Sequence, residues 1–140
     1  MLRVPRMQFW TVALFAVLLF AASAGRTFAG DLYIACNTRV SLERSDVREL
    51  FLGEKHFAGS IKLDPVDNAA AQADFLARVL QMDHAKYSRV WIKKSFRDGI
   101  NPPQMLGSDI EVLAYIKRTP GGCGYLTTAP GSAVTFVGKF

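Results

Sequence analysis

An open α/β sheet covered by helices, within one small exported domain, is the fold class this sequence predicts. Three observations lead there. The chain has 140 residues, within the size of one domain. From residue 31 onward, short segments of strand formers alternate with amphipathic helical patterns. The first 24 residues differ from the rest in composition and read as a leader.

In that leader, Arg3 and Arg6 form a basic start and residues 10–24 carry no charge. Ala22-Ser23-Ala24 is an A-x-A cleavage pattern, so residues 1–24 read as a signal peptide and the mature chain as periplasmic. A second cut fits after Ala29, with Thr27 at the −3 position; residue size favours the first. A retained membrane anchor is the competing reading. It needs roughly 20 apolar residues. The run over residues 9–25 is short of that and ends in small residues, with no basic stop-transfer cluster.

Cleavage also changes the charge. The full chain carries +5. Losing Arg3 and Arg6 leaves +3, and the later cut, which also removes Arg26, leaves +2. A mild bias spread along the chain is not a nucleic-acid-binding signature. Two cysteines remain, Cys36 and Cys123. Two readings stay open for them: one disulfide, as export permits, or two buried thiols acting as small hydrophobes. Their spacing excludes C-x-x-C redox and zinc chemistry.

Residues 31–36, Asp-Leu-Tyr-Ile-Ala-Cys, read as a buried strand that Asn37-Thr38 breaks. A helix follows over 44–52. Leu42 and Val47 are spaced as a hydrophobic staple, Asp46 sits in the first turn, and Val47, Leu50 and Phe51 make the apolar stripe. Gly53 is its C′ stop. After a turn at Gly59-Ser60, residues 61–66 read as the second strand. Asn68 is placed to cap a helix over 69–81, with Phe75, Leu76, Val79 and Leu80 inward. Asp83 caps a third helix over 84–97, which carries Tyr87, Val90 and Trp91 on one stripe and ends at Gly99. Asn101-Pro102-Pro103 forces an extended loop. Ser108-Asp109-Ile110-Glu111 is a capping box. It opens a helix whose end is basic at Lys117-Arg118 and which Pro120-Gly121-Gly122 stops. Residues 123–127 read as a strand and 134–137 as a short last one. No repeat, linker or low-complexity segment interrupts the order.

Catalytic patterns are missing from the sequence. His56 and His84 have no metal-ligand partner at helical spacing. No Gly-x-Ser-x-Gly elbow, P-loop or dinucleotide fingerprint occurs. A non-enzymatic protein without a cofactor is the expectation. Arg89, Lys93, Lys94 and Arg97 give the third helix a basic face, either solvated or a docking surface for an acidic partner or anionic headgroups. In open α/β sheets, ligands bind where strand ends meet helix starts, because free amides and the helix dipole favour anions there. Two junctions qualify, Asn37-Thr38 and Asp67-Asn68, and these four residues are the candidate ligand-binding set; ordinary capping is the competing reading of both.

The segments also carry a family resemblance. Leu50-Phe51-Leu52-Gly53-Glu54-Lys55 resembles the I-F-L-G-K helix end of phosphate-type periplasmic substrate-binding proteins. Residues 61–67 resemble the strand that follows it. Thr119-Pro120-Gly121-Gly122-Cys123-Gly124-Tyr125-Leu126 resembles their T-P-G-A-I-G-Y-V segment. With Pro102-Pro103 and Ser108-Asp109, the chain is similar to short, single-lobe members of the phosphate ABC transporter substrate-binding family over residues 31–127. The resemblance implies one lobe of a type-2 periplasmic binding protein over 31–140, an open mixed sheet flanked by helices. It implies phosphate or another small anion as ligand; the alternative, which the basic third helix favours, is an accessory module for a membrane transporter or sensor that has lost ligand binding. Full-length relatives hold the oxyanion with a Ser-Gly-Thr segment; the matching residues 67–72 here are Asp-Asn-Ala-Ala-Ala-Gln. The hydroxyls are absent and an acid stands at the entrance. Losing two neutral hydrogen bonds costs on the order of 1–3 kcal/mol. A lone lobe supplies one wall of a cleft, so tight binding implies a homodimer or a closing partner.

Overall fold

The computed structural model describes residues 30–140. The leader, its two cleavage positions and the anchor alternative lie outside those residues.

A five-stranded mixed sheet forms the centre. Its strands are β1 (Tyr33–Cys36), β4 (Asp64–Asn68), β5 (Gln104–Leu106), β6 (Gly122–Leu126) and β7 (Thr135–Lys139), in the order β5-β4-β6-β1-β7. β4 runs parallel to β5 and β6, whereas β1 is antiparallel to both of its neighbours. β2 (Phe57–Ala58) and β3 (Ile61–Lys62) make a separate small hairpin. The helices are α1 (Asp46–Phe51), α2 (Gln72–Phe75) continuing as a π-helical turn Leu76–Leu80, α3 (His84–Asp98) and α4 (Asp109–Arg118).

Alternation along the strands sends side chains to two layers. Leu32, Ile34 and Cys36 of the β1 segment and Cys123 and Tyr125 of β6 face α1, α2 and α3, in one cluster with Phe51, Phe75 and Trp91. Ala35, Val66 and Leu126 face the other way and pack on Val112 and Ile116 of α4. Gly124 lets α4 come close: a Cβ there would lie 2.6 Å from Val112 Cγ1.

Cys36 and Cys123 are joined by a disulfide, which decides between the two readings of the cysteines. They are register partners across β1 and β6. Asn37 N–H donates to Gly122 O, so the neighbouring pair Cys36–Cys123 is a non-hydrogen-bonded one. Such pairs bring Cα atoms closest, here to 4.1 Å.

Several element boundaries differ from the expectation. The strand expected over 61–66 is two strands. Ile61–Lys62 turns back on Phe57–Ala58, and Asp64–Asn68 enters the main sheet. Asp64 N–H donates to Gly121 O on the β6 side, so Pro65 turns its missing donor toward the β5 side, ahead of the start of β5 at Gln104. The helix expected over 69–81 begins at Gln72, because Asn68 stays in the sheet opposite Leu106. Asn68 therefore does not cap it; its Oδ1 accepts from Ala70 N–H in a turn. The first helix begins at Asp46, whose carboxylate accepts from Glu43 N–H. β5 follows directly on the extended Asn101-Pro102-Pro103 segment, at residues where the sequence predicts no strand. Asp83, Gly99 and Ser108 act as read: Asp83 accepts from Lys86 N–H, Gly99 takes φ +68° and Ser108 accepts from Glu111 N–H. The reciprocal arm of the capping box is shifted by one residue, since Glu111 accepts from Gly107 N–H.

Candidate functional site

β4 ends at Asp67 and Asn68, and the alternation of the strand sends them to opposite faces. Asp67 points into the layer of α3 and Asn68 toward the start of α4. That divides the carboxyl edge of the parallel strands into two constellations.

On the α3 face, Asp67 is 2 % exposed. Its Oδ2 accepts from the Tyr87 hydroxyl at 2.9 Å and its Oδ1 from the Tyr125 hydroxyl at 3.0 Å. Burial pushes its pKa up to about 6, against the opposing pull of the two tyrosine hydrogen bonds, Gln72 and His84. Burial, reinforced by the neighbouring carboxylate, drives both tyrosine hydroxyls upward, so they remain donors at neutral pH. Tyr125 is held flat against Phe75, ring centroids 3.9 Å apart, and Phe51 meets both rings edge-on. The acid thus sits in a rigid aromatic frame.

Above it opens a groove of about 440 Å³ between α3 and the segment leading into β5. Asp67, Gln72, His84, Tyr87, Ser88 and Ser95 are its polar side chains, and Trp91, Ile92, Phe96 and Met105 supply apolar walls. No Lys or Arg lines it. Trp91 Nε1 is buried, with the Tyr87 hydroxyl as its neighbour, and makes no hydrogen bond of full geometry. Phe96 is 90 % exposed, and Ile92 and Met105 are also open to solvent.

On the α4 face, Asn68 Nδ2 donates to Tyr125 O and, at 2.7 Å, to the carboxylate of Asp109. The same carboxylate takes the backbone N–H and hydroxyl groups of Thr127 and Thr128. Burial raises the Asp109 pKa, but the bonds from Thr127, Asn68 and Thr128 outweigh that and hold it low. A carboxylate of the chain itself fills this cluster of donors.

The other expected junction lies elsewhere. β1 is antiparallel to β6, so Asn37 and Thr38 emerge at the amino edge of the parallel strands, opposite Asp67 and Asn68. Asn37 Nδ2 donates to Ile116 O and Lys117 O, closing the end of α4, and its Oδ1 accepts from Arg39 N–H. Thr38 is exposed. The four candidate residues are not brought together. Tyr87, Tyr125, Trp91 and Asp109 were not among them. Tyr87 and Trp91 were visible as an inward stripe, but nothing local marks a tyrosine 58 residues from its acid. Among the described residues, no group of three or more His, Cys, Asp or Glu is placed to hold a metal, and no helix is long and apolar enough to cross a membrane.

No known protein family matches the sequence, and no curated protein matches it. Among solved structures, the chain is similar to an ABC-type phosphate transport receptor from Vibrio cholerae. The TM-score is 0.47 at 12 % identity, over 76 % of this chain and 44 % of the receptor. The chain thus spans less than half the length of that receptor.

Proposed function

We propose that this chain is an exported, non-catalytic solute-binding lobe, cut from its leader after residue 24 or 29 and working in the periplasm for an ABC transporter. The observation that carries the reading is the groove at the carboxyl edge of β4. It pairs an apolar wall with a buried, rigidly framed acid, the combination of shape and few fixed polar groups that small-solute sites use. The groove is open on one side, and a second copy or a transporter-bound partner would close it. The Cys36–Cys123 disulfide agrees with life outside the cytoplasm.

Phosphate or another small anion is the solute that the family resemblance implies; of the two junctions expected to hold it, Asn37-Thr38 and Asp67-Asn68, only Asp67 lines the groove. In the groove it would meet a carboxyl and no Lys or Arg side chain. Phosphate therefore belongs in the test set beside organic solutes. A thermal-shift titration of the chain from Gly25 onward decides the matter, since a ligand of the native state raises the melting temperature with concentration. A saturable rise with any solute supports the lobe as a receptor; no rise at millimolar concentration with any of them removes that role.

A second reading, an accessory module that docks on a transporter or sensor, is favoured by the outer face of α3. There Phe96 and Ile92 stand exposed beside Arg89 and Lys93. Pull-down with Lys93→Glu tests it: unchanged recovery of partners would exclude that face.

A further inference from the structure

We infer that the groove between α3 and β5 takes a small organic amine, with its ammonium group toward Asp67 and an apolar or aromatic body along Trp91, Ile92, Phe96 and Met105. The inference rests on the solute-binding reading above and names its ligand class.

Charge complementarity points to the cation. Asp67 is the single carboxyl of the lining, and no Lys or Arg faces it there. Each of its oxygens accepts one tyrosine hydroxyl. A carboxylate offers about four lone-pair sites, so acceptor capacity remains. The groups facing it are Tyr87 from α3, Tyr125 from β6, Gln72 from α2 and His84 at the start of α3. None of these is a permanent cation. An ammonium group would neutralise a carboxylate that burial makes costly to ionise. Trp91 and Phe96 are aromatic members of the same lining, and aromatic rings attract cations to their faces. Arg89 and Lys93 are solvent-exposed on α3 and outside the lining. Trp91 lines the same groove beside Tyr87. It is 5 % exposed, and its buried N–H lies toward the Tyr87 hydroxyl without reaching full hydrogen-bond geometry. A body the size of a benzene ring fits a volume of about 440 Å³.

The test uses the full chain with Trp10→Phe, which leaves Trp91 as its single tryptophan whether or not the leader is removed. Trp91 emission is titrated at pH 7.5 with 2-phenylethylamine, 2-phenylethanol and 3-phenylpropionate, which share a body and differ in charge. The expected result is saturable quenching by the amine, with affinity at least tenfold above that of the alcohol and the acid. Asp67→Asn should remove that preference. In case this variant does not fold, the pH dependence of amine binding carries the same information. In a His84→Gln background, affinity should fall about tenfold per unit below pH 6, because the acid protonates. Equal affinity for amine and alcohol, or an affinity flat from pH 5 to 7.5, would overturn the amine assignment while leaving a solute groove. Failure of all three probes also overturns it. If phosphate or another solute then still raises the melting temperature, the broader solute-binding reading survives; if none does, it falls too.

Discussion

Asp67 and Tyr125 meet at 3.0 Å across 58 residues of sequence, the carboxyl at the end of β4 and the hydroxyl projecting from β6 on the same face of the sheet. With Tyr87 on the other oxygen, the acid is framed but not solvated. Its raised pKa makes stability depend on pH in the direction opposite to most paired acids. In the unfolded chain Asp67 loses its proton near pH 4, whereas in the folded chain it keeps it to about pH 6. Between those values the native state holds the extra proton, so stability is fully present below pH 4 and falls as pH rises through 6. The loss is about 3 kcal/mol at most, from roughly two pKa units at 1.4 kcal/mol each. Denaturant melts of wild type and Asp67→Asn from pH 4 to 7 should differ by this slope; parallel curves would show that Asp67 ionises freely.

Asp109 should behave with the opposite sign. Five donor atoms from Asn68, Thr127 and Thr128 converge on its carboxylate. Its lowered pKa means that stability is present at neutral pH and lost as pH falls below the usual carboxylate range. Asp109→Ala should cost about 2–3 kcal/mol, the range for hydrogen bonds to a charged group. Amide exchange at Thr127 and Thr128 should speed up in the variant, since those N–H groups lose their acceptor. Unchanged exchange would place the anchor of this loop elsewhere.

The disulfide closes a loop with a sequence separation of 87 residues. On the chain-entropy account, a loop of that length contributes about 4.6 kcal/mol. Cys36→Ala with Cys123→Ala should lower the melting temperature by well over ten degrees, given about 4–8 °C per kcal/mol in a domain of this size. Calorimetry of the oxidised and double-alanine proteins checks it, and a shift of a few degrees would mean that β1 and β6 hold their register without the bond.

Gly53 combines φ +68° with a Cβ position only 2.5 Å from Trp91 Cη2. Gly53→Ala must therefore both strain the backbone and displace the indole. A loss of about 2 kcal/mol or more follows from those two mechanisms together. Because Trp91 lines the groove, the same variant should shift Trp91 emission before any ligand is added.

What could be read from the sequence follows the range of each interaction. Gly53, Asp83, Gly99 and Ser108 act through their immediate neighbours, so their roles were legible. The division of 61–68 into two strands was not, because it depends on which strand each half pairs with. Nor was the direction of β1: the local pattern of residues 31–36 is the same for a parallel and an antiparallel strand, yet that direction sends Asn37 and Asp67 to opposite edges. Asp67 was legible as an acid at a junction. Its frame of Tyr87 and Tyr125, which sets its chemistry, is assembled from three elements and leaves no local mark. The cysteines were open between two states until register placed them opposite each other.

Leu32 exchanges both backbone hydrogen bonds with Phe140, and Arg78 Nη1 donates to Gly30 O while its Nη2 donates to Phe140 O. The two ends of the described chain are thus stitched together beside β7, and β5 forms the far margin, four strand spacings or roughly 19 Å away. Phe140 nevertheless stands at the same edge of the sheet as Asp67, because β7 runs parallel to β6 and β4. A surface tether on Phe140 would hold the protein beside the edge that bears the groove, so immobilised protein should lose capacity for whatever enters it, whereas a tether at the opposite edge should not.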